Sequence, residues 1–303
     1  MLSGAAMRIL FVTSSRIGDA VLSTGLLDHL LRTHPEARFT VATGPVAEGV
    51  FVRMPRLERL ILLEKRRFGR HWPGLWAASV GTVWDLVVDI RASALAWTLP
   101  ARRRAVMRRR GGHKITQLAA VLGLDPPPLP VVWTAPADRA HAALLLPPGP
   151  PVLALGPTAN WDGKVWPAER FIALAGALRA GALAGARIAV LAGPGGAERA
   201  LAAPVLAGLP DAIDLVGALS LPEAAACLAG VALFVGNDSG LMHLAAAAGA
   251  PTLGLFGPTE AGEYAPAGRC TATAIAHGPH MAELPVADAL AASVGLIARD
   301  RAA

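Results

Sequence analysis

The chain has 303 residues, 53% of them apolar, which is enough for two domains of ordinary size, each with its own core. Its two cysteines, Cys227 and Cys270, fit neither a metal-binding pattern nor a disulfide framework, so a reducing cytoplasm is expected. The short, uncharged stretch at residues 1–6 separately leads us to expect no secretory signal peptide. No apolar run reaches the roughly 18 residues of a transmembrane helix without interruption by Gly, Pro or a charged residue.

Charge is distributed unevenly along the chain. Up to Pro148 there are 20 Lys and Arg residues against 10 Asp and Glu residues, a net charge of +10. From Gly149 onward there are 8 against 12, a net charge of −4. A basic half joined to an acidic half indicates that the two halves bind different partners.

The N-terminal half predicts alternating strands and helices. Leucines at helical spacing give its first helix an apolar face, and Pro35 ends that helix. Short apolar runs alternating with helices indicate a doubly wound parallel sheet. The expected strands are Arg8–Thr13, Phe39–Ala42, Leu60–Leu63 and Leu86–Asp89, and the expected helices are Ala20–Thr33, Val46–Met54 and Trp72–Ser79.

A proline-rich stretch, Pro147–Pro151, stands directly before a new apolar strand and is stiff and extended in character. It predicts an N-terminal domain over residues 1–148 and a C-terminal domain over residues 149–303. The C-terminal half repeats the alternation, with Ala-rich helices between its strands. Its strands are expected at Val152–Leu155, Ile188–Leu191, Ile213–Val216, Ala232–Val235 and Thr252–Leu255.

The most informative stretch is residues 231–259, VALFVGNDSGLMHLAAAAGAPTLGLFGPT. An apolar strand, a tight polar turn at Gly236–Gly240, an apolar helix and a second apolar strand predict a buried parallel βαβ unit. Ligands of such sheets bind beyond the carboxyl ends of the strands, where this turn lies. The free N–H groups of the helix that follows suit a phosphate.

Other chemistries fit this turn poorly. Ser239 lies one place too late for a nucleophile elbow, and the Asp-Ser-Gly of trypsin-like proteases belongs to an all-β fold. Neither the P-loop nor the dinucleotide-binding spacing of glycines occurs. An anion site remains, and the open alternative is that Asp238 or Ser239 only caps the helix while His243 is a core histidine.

Three stretches, in this order, resemble glycosyltransferase family 9, the heptosyltransferases that extend the inner core of lipopolysaccharide. They are RILFVTSSRIGDAVLSTGLLDHLLRTHPEARFTVAT, ALGPTANWDGKVWPAERFIALAGAL and GNDSGLMHLAAAAGAPTLGLFGPT. The resemblance implies an α/β fold of GT-B type, with two Rossmann-like doubly wound parallel-sheet domains facing across a cleft. The C-terminal domain would then bind the nucleotide sugar, and the N-terminal domain would bind the acceptor.

The resemblance also assigns roles to individual residues. Asp19 matches the family's proposed general base, which takes the proton from the attacking sugar hydroxyl. Its open alternative is an aspartate that caps the first helix. The residues that match donor and phosphate contacts are Thr158, Lys164, Glu198, Asp238, Ser239, Gly240, Leu241 and His243. Among them, Lys164 could instead be solvated, and Glu198 could simply complement a helix dipole.

A basic cluster over Arg102–Lys114 belongs to the acceptor half. It predicts attraction to a phosphorylated lipid or an anionic membrane, and the open alternative is a solvated surface loop. Nucleic acid is not expected, because no aromatic residues are interleaved for base stacking. The arginines assigned to acceptor or membrane are Arg102, Arg103, Arg104, Arg108, Arg109 and Arg110.

Together these features predict an inverting glycosyltransferase that moves a sugar, expected to be heptose from ADP-heptose, onto a lipopolysaccharide core or a related glycolipid. Neither a cofactor nor a metal is expected, since no acidic pair resembles a Mg²⁺-diphosphate motif. The expected location is the cytoplasm, peripheral at the inner face of the inner membrane. Two alternatives stay open, a nucleotide-sugar epimerase on the same fold and a non-catalytic nucleotide-sugar-binding protein.

Overall fold

The structure of the chain, a computed structural model, describes residues 6–64, 71–108 and 110–302. Apolar runs form the strands, which are β1 (Arg8–Val12), β2 (Arg38–Thr43), β3 (Leu57–Leu62), β4 (Trp84–Asp89), β5 (Ala101–Val106), β6 (Val152–Gly156), β7 (Arg187–Val190), β8 (Ile213–Asp214), β9 (Leu233–Asn237), β10 (Thr252–Phe256) and β11 (Thr271–Ile275).

The α-helices in the described part of the chain are α1 (Ile17–Thr33), α2 (His71–Ser79), α3 (Leu95–Thr98), α4 (Lys114–Ala119), α5 (Pro136–Leu145), α6 (Ala168–Ala180), α7 (Gly196–Gly208), α8 (Leu221–Leu228), α9 (Gly240–Ala247), α10 (Ala261–Tyr264) and α11 (Val286–Ala302). In that part, no helix is both long enough and apolar enough to cross a membrane.

The chain divides into two compact units, residues 1–133 and 134–303. The division falls 15 residues before the expected boundary at 148/149. The physical reason is α5, which was not expected and which packs against α8 of the second unit. His141 on α5 also places its Nδ1 2.6 Å from Oε1 of Glu223 on α8.

Each unit holds one parallel sheet. The strand order is β3-β2-β1-β4-β5 in the first unit and β11-β10-β9-β6-β7-β8 in the second. Counted within its own unit, each sheet has the 3-2-1-4-5 order of a Rossmann-like doubly wound fold, and the second adds a sixth strand at the end. The strand order therefore reverses between β1 and β4 in one unit and between β6 and β9 in the other. This confirms the fold class that the sequence predicts.

The apolar faces predicted from the sequence form the cores. In the first unit, Leu10, Val12 and Val87 of the central strands pack together with Leu75 of α2. In the second unit, the core includes Trp166, whose fully buried ring meets Phe171 edge to face at 5.0 Å between ring centroids.

Several elements differ from the sequence prediction. β5 and β11 were not expected, and β5 shows that the first part of the basic cluster is a strand rather than a loop. β5 lies at an edge of its sheet, where charged side chains can face solvent and discourage pairing with another chain. The expected helix Val46–Met54 is a 3₁₀ helix over Pro45–Val50, and α1 begins three residues earlier than predicted.

Candidate functional site

In the second unit, the loops that follow β6 and β9 lie side by side at the point where the strand order reverses. Gly156, the last residue of β6, lies opposite Gly236, the next-to-last residue of β9, in the register. A Cβ on Gly156 would come within 2.6 Å of the Phe234 ring, and one on Gly236 within 2.7 Å of the same ring. Glycine at both positions therefore leaves room for the Phe234 ring, which covers the two strands here.

Asn237, the last residue of β9, ties the two loops together. Its side-chain Nδ2 donates to the carbonyl of Pro157 at 2.9 Å, and its Oδ1 accepts from the N–H of Trp166 at 3.1 Å. Pro157 and Trp166 are the two ends of the loop that joins β6 to α6, and Trp166 is further anchored by its indole N–H, which donates to Leu284 O at 3.0 Å. One buried amide thus fixes the whole loop against the neighbouring strand.

That loop carries Lys164, and the neighbouring turn carries Asp238. Nζ of Lys164 lies 2.7 Å from Oδ2 of Asp238, with the two side chains 20% and 8% exposed. The N–H of Asp238 also donates to Leu255 O at 3.1 Å, which fixes the turn to β10. Because the pair is largely shielded from water, it holds the lysine charge in one place at the end of the sheet.

The turn continues into α9. Ser239 is the N-cap of that helix, but its side chain makes no capping hydrogen bond. Gly240 and Leu241 are the first two helical residues, so their N–H groups face the open end of the helix. His243 is one turn further along and is 4% exposed. The structure thus brings together six of the predicted site residues, Lys164 and Asp238 included, at this corner of the sheet.

Two hydroxyl groups beside this corner lack partners. Oγ of Ser239 and Oγ1 of Thr259 are buried, and neither has a hydrogen-bond partner among the described residues. Thr259 follows β10, the strand next to β9, on the same edge of the sheet. A buried hydroxyl without a partner costs free energy in the free protein, and a ligand oxygen can recover that energy.

The other predicted donor residues also lie at carboxyl ends of strands in this unit. Thr158 directly follows Pro157 after β6 and is 6% exposed. Glu198 is the third residue of α7 and is half-buried, with its carboxylate close to Gly193 in the loop after β7. Among the described residues, no group of three or more His, Cys, Asp or Glu side chains is placed to hold a metal ion.

In the first unit, Asp19 lies after β1, next to the point where that sheet reverses its strand order. It is the third residue of α1 rather than its N-cap, which is Arg16, so the capping alternative in its simple form is wrong. The hydroxyl of Ser14 donates to Oδ2 of Asp19 at 3.3 Å, and Thr43 Oγ1 donates to Ser14 O at 2.8 Å. The loop before Asp19 is thereby fixed to the end of β2.

A second acid, Asp89, ends β4 beside this loop and was not singled out from the sequence. It is fully buried and accepts hydrogen bonds from the N–H groups of Arg91 and Ser93 and from the Ser93 hydroxyl. Burial raises the pKa of Asp89, and the hydrogen bonds from Ser93 and Arg91 partly oppose that rise. Asp89 therefore organises the loop after β4.

The arginine cluster divides by position. Arg102 and Arg103 are exposed on β5, and Arg102 lies 3.3 Å from Asp85. The guanidinium of Arg104 instead donates hydrogen bonds to the carbonyls of Ala96, Leu99 and Ala101. Arg104 therefore stabilises the end of α3. Beyond the strand, Arg108 and Arg110 are exposed, and Arg109 lies outside the described residues.

A family model described as glycosyltransferase family 9 (heptosyltransferase) matches residues 93–291. The chain belongs to this family. The match spans two thirds of the sequence and includes every predicted donor residue. The family membership confirms the resemblance found in the sequence.

Individual relatives agree with the family assignment. The chain is 29% identical over 300 residues to lipopolysaccharide heptosyltransferase 1 of Pseudomonas aeruginosa, covering 84% of this chain and 80% of that one. A solved family 9 glycosyltransferase from Veillonella parvula superimposes with a TM-score of 0.81 at 18% identity, over 99% of both chains. Escherichia coli ADP-heptose LPS heptosyltransferase II superimposes with a TM-score of 0.76 at 19% identity, over 97% of this chain and 100% of that one. These structures confirm the GT-B fold of family 9.

Asn237 and Asp89 were missed from the sequence as organisers of these loops, and Thr259 was missed as a buried hydroxyl beside the site. Asn237 and Thr259 stand inside the stretch already singled out, but only the fold shows what their side chains face. A polar residue at the last position of an otherwise apolar strand is the signal that could have found Asn237 and Asp89.

Proposed function

We propose that this family 9 glycosyltransferase transfers heptose from ADP-heptose, with inversion, to a lipopolysaccharide core or a related glycolipid acceptor. The observation that carries the proposal is the Lys164–Asp238 pair, beside the open N-terminus of α9 and the unpartnered hydroxyl of Ser239. A cation, free helix N–H groups and an unpartnered hydroxyl together suit the two phosphates of a nucleoside diphosphate. The names of the relatives, lipopolysaccharide heptosyltransferases, support the choice of sugar and acceptor.

The donor diphosphate binds where these groups converge. Lys164 neutralises one phosphate as a compact charge, and the N–H groups of Gly240 and Leu241 donate to phosphate oxygens. Ser239 and Thr259 offer the two unpartnered hydroxyls. Thr158, Glu198 and His243 complete the donor site, with Glu198 accepting from the ribose hydroxyls.

The chemical step is a single displacement at the anomeric carbon. The acceptor oxygen forms the new bond to this carbon while its proton passes to Asp19, and the bond from the carbon to the diphosphate oxygen breaks. Negative charge develops on the leaving diphosphate, where Lys164 and the α9 amides stabilise it more strongly than in the ground state. One displacement inverts the configuration of the transferred sugar.

No cofactor or metal takes part in this proposal, because Lys164 and the helix N-terminus supply the charge that a divalent cation would otherwise provide. Turnover that is unchanged by a chelator supports it, and turnover that requires added Mg²⁺ contradicts it. The exposed arginines Arg102, Arg103, Arg108 and Arg110, with Arg109, attract the phosphorylated acceptor. The enzyme then works in the cytoplasm, peripherally at the inner face of the inner membrane.

One experiment tests the function directly. The full chain is incubated with ADP-heptose and a heptose-free lipopolysaccharide core, and both ADP release and acceptor mass are measured. Transfer predicts ADP release matched by an acceptor that gains one heptose. An epimerase would instead leave the acceptor unchanged and produce an isomeric nucleotide sugar. A non-catalytic protein would be stabilised thermally by ADP-heptose and release no ADP.

A further inference from the structure

Trp161 stands out on the loop that carries Lys164. Its side chain is 54% exposed, whereas Trp166, five residues later on the same loop, is fully buried. An exposed indole forgoes the favourable burial that such a large apolar surface would gain in a core. The second unit thus keeps one tryptophan at the surface next to its phosphate-binding corner.

The Trp161 indole packs in a defined position on its own loop. Its six-membered ring lies over Gly163, where an added Cβ would meet Cζ2 at 2.6 Å and Cη2 at 2.8 Å. The carbonyl of Trp161 accepts from the N–H of Lys164 at 3.0 Å, closing one 3₁₀ turn. Since Asn237 fixes both ends of this loop, the ring is held in a set relation to the lysine ammonium.

A nucleotide sugar joins its pyranose ring directly to the distal phosphate. A phosphate held by Lys164 therefore places that ring next to the turn that begins at Trp161. The C–H bonds on one face of a pyranose carry partial positive charge, and they are attracted to the negative face of an aromatic ring. Asp162, adjacent and exposed, offers an oxygen acceptor for the sugar hydroxyls.

We propose that Trp161 is the stacking platform for the pyranose ring of the donor sugar, seated by Gly163 and aligned by the turn that carries Lys164. Trp161 has this role only if the chain binds a nucleotide sugar, as proposed above. The indole then contributes to recognition of the sugar and not of the nucleoside diphosphate.

The test compares the affinities of the full chain for ADP-heptose and for ADP by calorimetry. Trp161→Ala should weaken ADP-heptose binding about 3- to 10-fold, the range for a lost aromatic contact, and change ADP binding less than twofold. Trp161→Phe should retain most of the ADP-heptose affinity. Gly163→Ala should reproduce the effect of Trp161→Ala, because its methyl group displaces the indole from its seat.

The matched glycine control is Gly176→Ala on α6, where an added Cβ meets nothing within 4 Å, and both affinities should stay unchanged. Equal losses for ADP and ADP-heptose in Trp161→Ala would overturn sugar stacking in favour of contact with the nucleotide. Unchanged ADP-heptose binding in that variant would also overturn it. A wild-type chain that binds neither ligand would refute the proposed function itself, which is a separate outcome.

Discussion

Nζ of Lys164 lies 2.7 Å from Oδ2 of Asp238, although 74 residues separate them in the chain. The carboxylate is the more buried partner, and it holds the ammonium group at the carboxyl end of the sheet. Such a pair can present the lysine to a second anion without a search through its rotamers. In the proposed function, Asp238 therefore positions the ammonium group that meets the donor phosphate.

Variants of Lys164 and Asp238 should show that donor affinity depends on the lysine, whereas stability depends on leaving neither charge unpaired. Lys164→Ala should weaken donor binding by about 1.5–3 kcal/mol, the scale of a hydrogen bond to a charged group, and it should also lower the melting temperature because Asp238 is left unpaired. Adding Asp238→Asn to this variant should restore stability but not affinity. Lys114→Ala, in the first unit, is the control. An unchanged calorimetric Kd in Lys164→Ala would contradict the phosphate role.

Replacing Asp19 tests the base. Asp19→Asn should lower kcat by about 10²–10⁴-fold, the usual contribution of a general base, and leave the donor Kd within about threefold. The melting temperature should fall little, because the Asn side chain can still accept a hydrogen bond from Ser14. Only the favourable interaction of the Asp19 charge with the α1 dipole is lost, which is worth about 0.3–1 kcal/mol. Asp28→Asn on the same helix is the matched control and should turn over normally. Near-normal turnover of Asp19→Asn would rule out the base role.

The unpartnered hydroxyls predict opposite effects on stability and binding. Ser239→Ala and Thr259→Val should leave the free energy of unfolding unchanged or slightly raised, because each removes a buried group without a partner, while donor affinity falls. Thr252→Val is the control, since the Thr252 hydroxyl donates to Ala250 O at 2.9 Å. That variant should lose about 1 kcal/mol of stability and keep its donor affinity. A donor Kd unaffected in both site variants would show that these hydroxyls face no ligand.

The arginines predict a salt-dependent interaction with anionic lipid. Neutralising Arg108, Arg109 and Arg110 together should lower binding to anionic liposomes most strongly at low salt, and leave donor affinity unchanged. Arg104 is spared because it stabilises α3. A double neutralisation of Arg299 and Arg301 on α11 is the control for loss of positive charge outside the cluster. Liposome binding that survives the triple change at low salt would identify the cluster as an ordinary solvated surface.

Glu223, in the first turn of α8, predicts a pH-dependent stability. Hydrogen bonds from the Ser220 hydroxyl and N–H, and then from His141, lower the pKa of Glu223 from 4.5 to about 2. A carboxyl with a lowered pKa in the folded state stabilises the fold above pH 4.5, and this contribution disappears as the pH falls from 4.5 toward 2. The melting temperature of Glu223→Gln should therefore differ most from wild type above pH 5 and converge with it in acid.

Two variants near Glu223 refine this expectation. Ser220→Ala should remove more of the pH dependence than His141→Ala, because the Ser220 hydroxyl is the larger cause of the lowered pKa. A difference between Glu223→Gln and wild type that stays constant from pH 3 to pH 7 would show that the carboxylate adds no charge-dependent stability.

The sequence alone determined the class of fold, and it indicated the corner of the sheet where we propose that the donor binds. Apolar runs at strand length, separated by helices with one apolar face, allow little except stacked parallel βαβ units. Strand ends followed by Gly-rich polar turns identify the sites, because loops at the carboxyl ends of parallel strands share one edge. Asp238 is recognisable before the fold is known for this reason, whereas Lys164 was identified through the resemblance to family 9.

Tertiary structure decided what local pattern cannot encode. Ala101–Val106 becomes an edge strand through its pairing with β4, and α5 belongs to the second unit through its packing on α8. Arg104 and Arg102 are near neighbours in the sequence, yet one stabilises α3 and the other faces solvent. Asn237 acquires its role from Pro157 and Trp166, which lie 80 and 71 residues away in the chain. These outcomes depend on partners that are distant in sequence. Each contact stabilises the fold only after the sheet has brought its partners together.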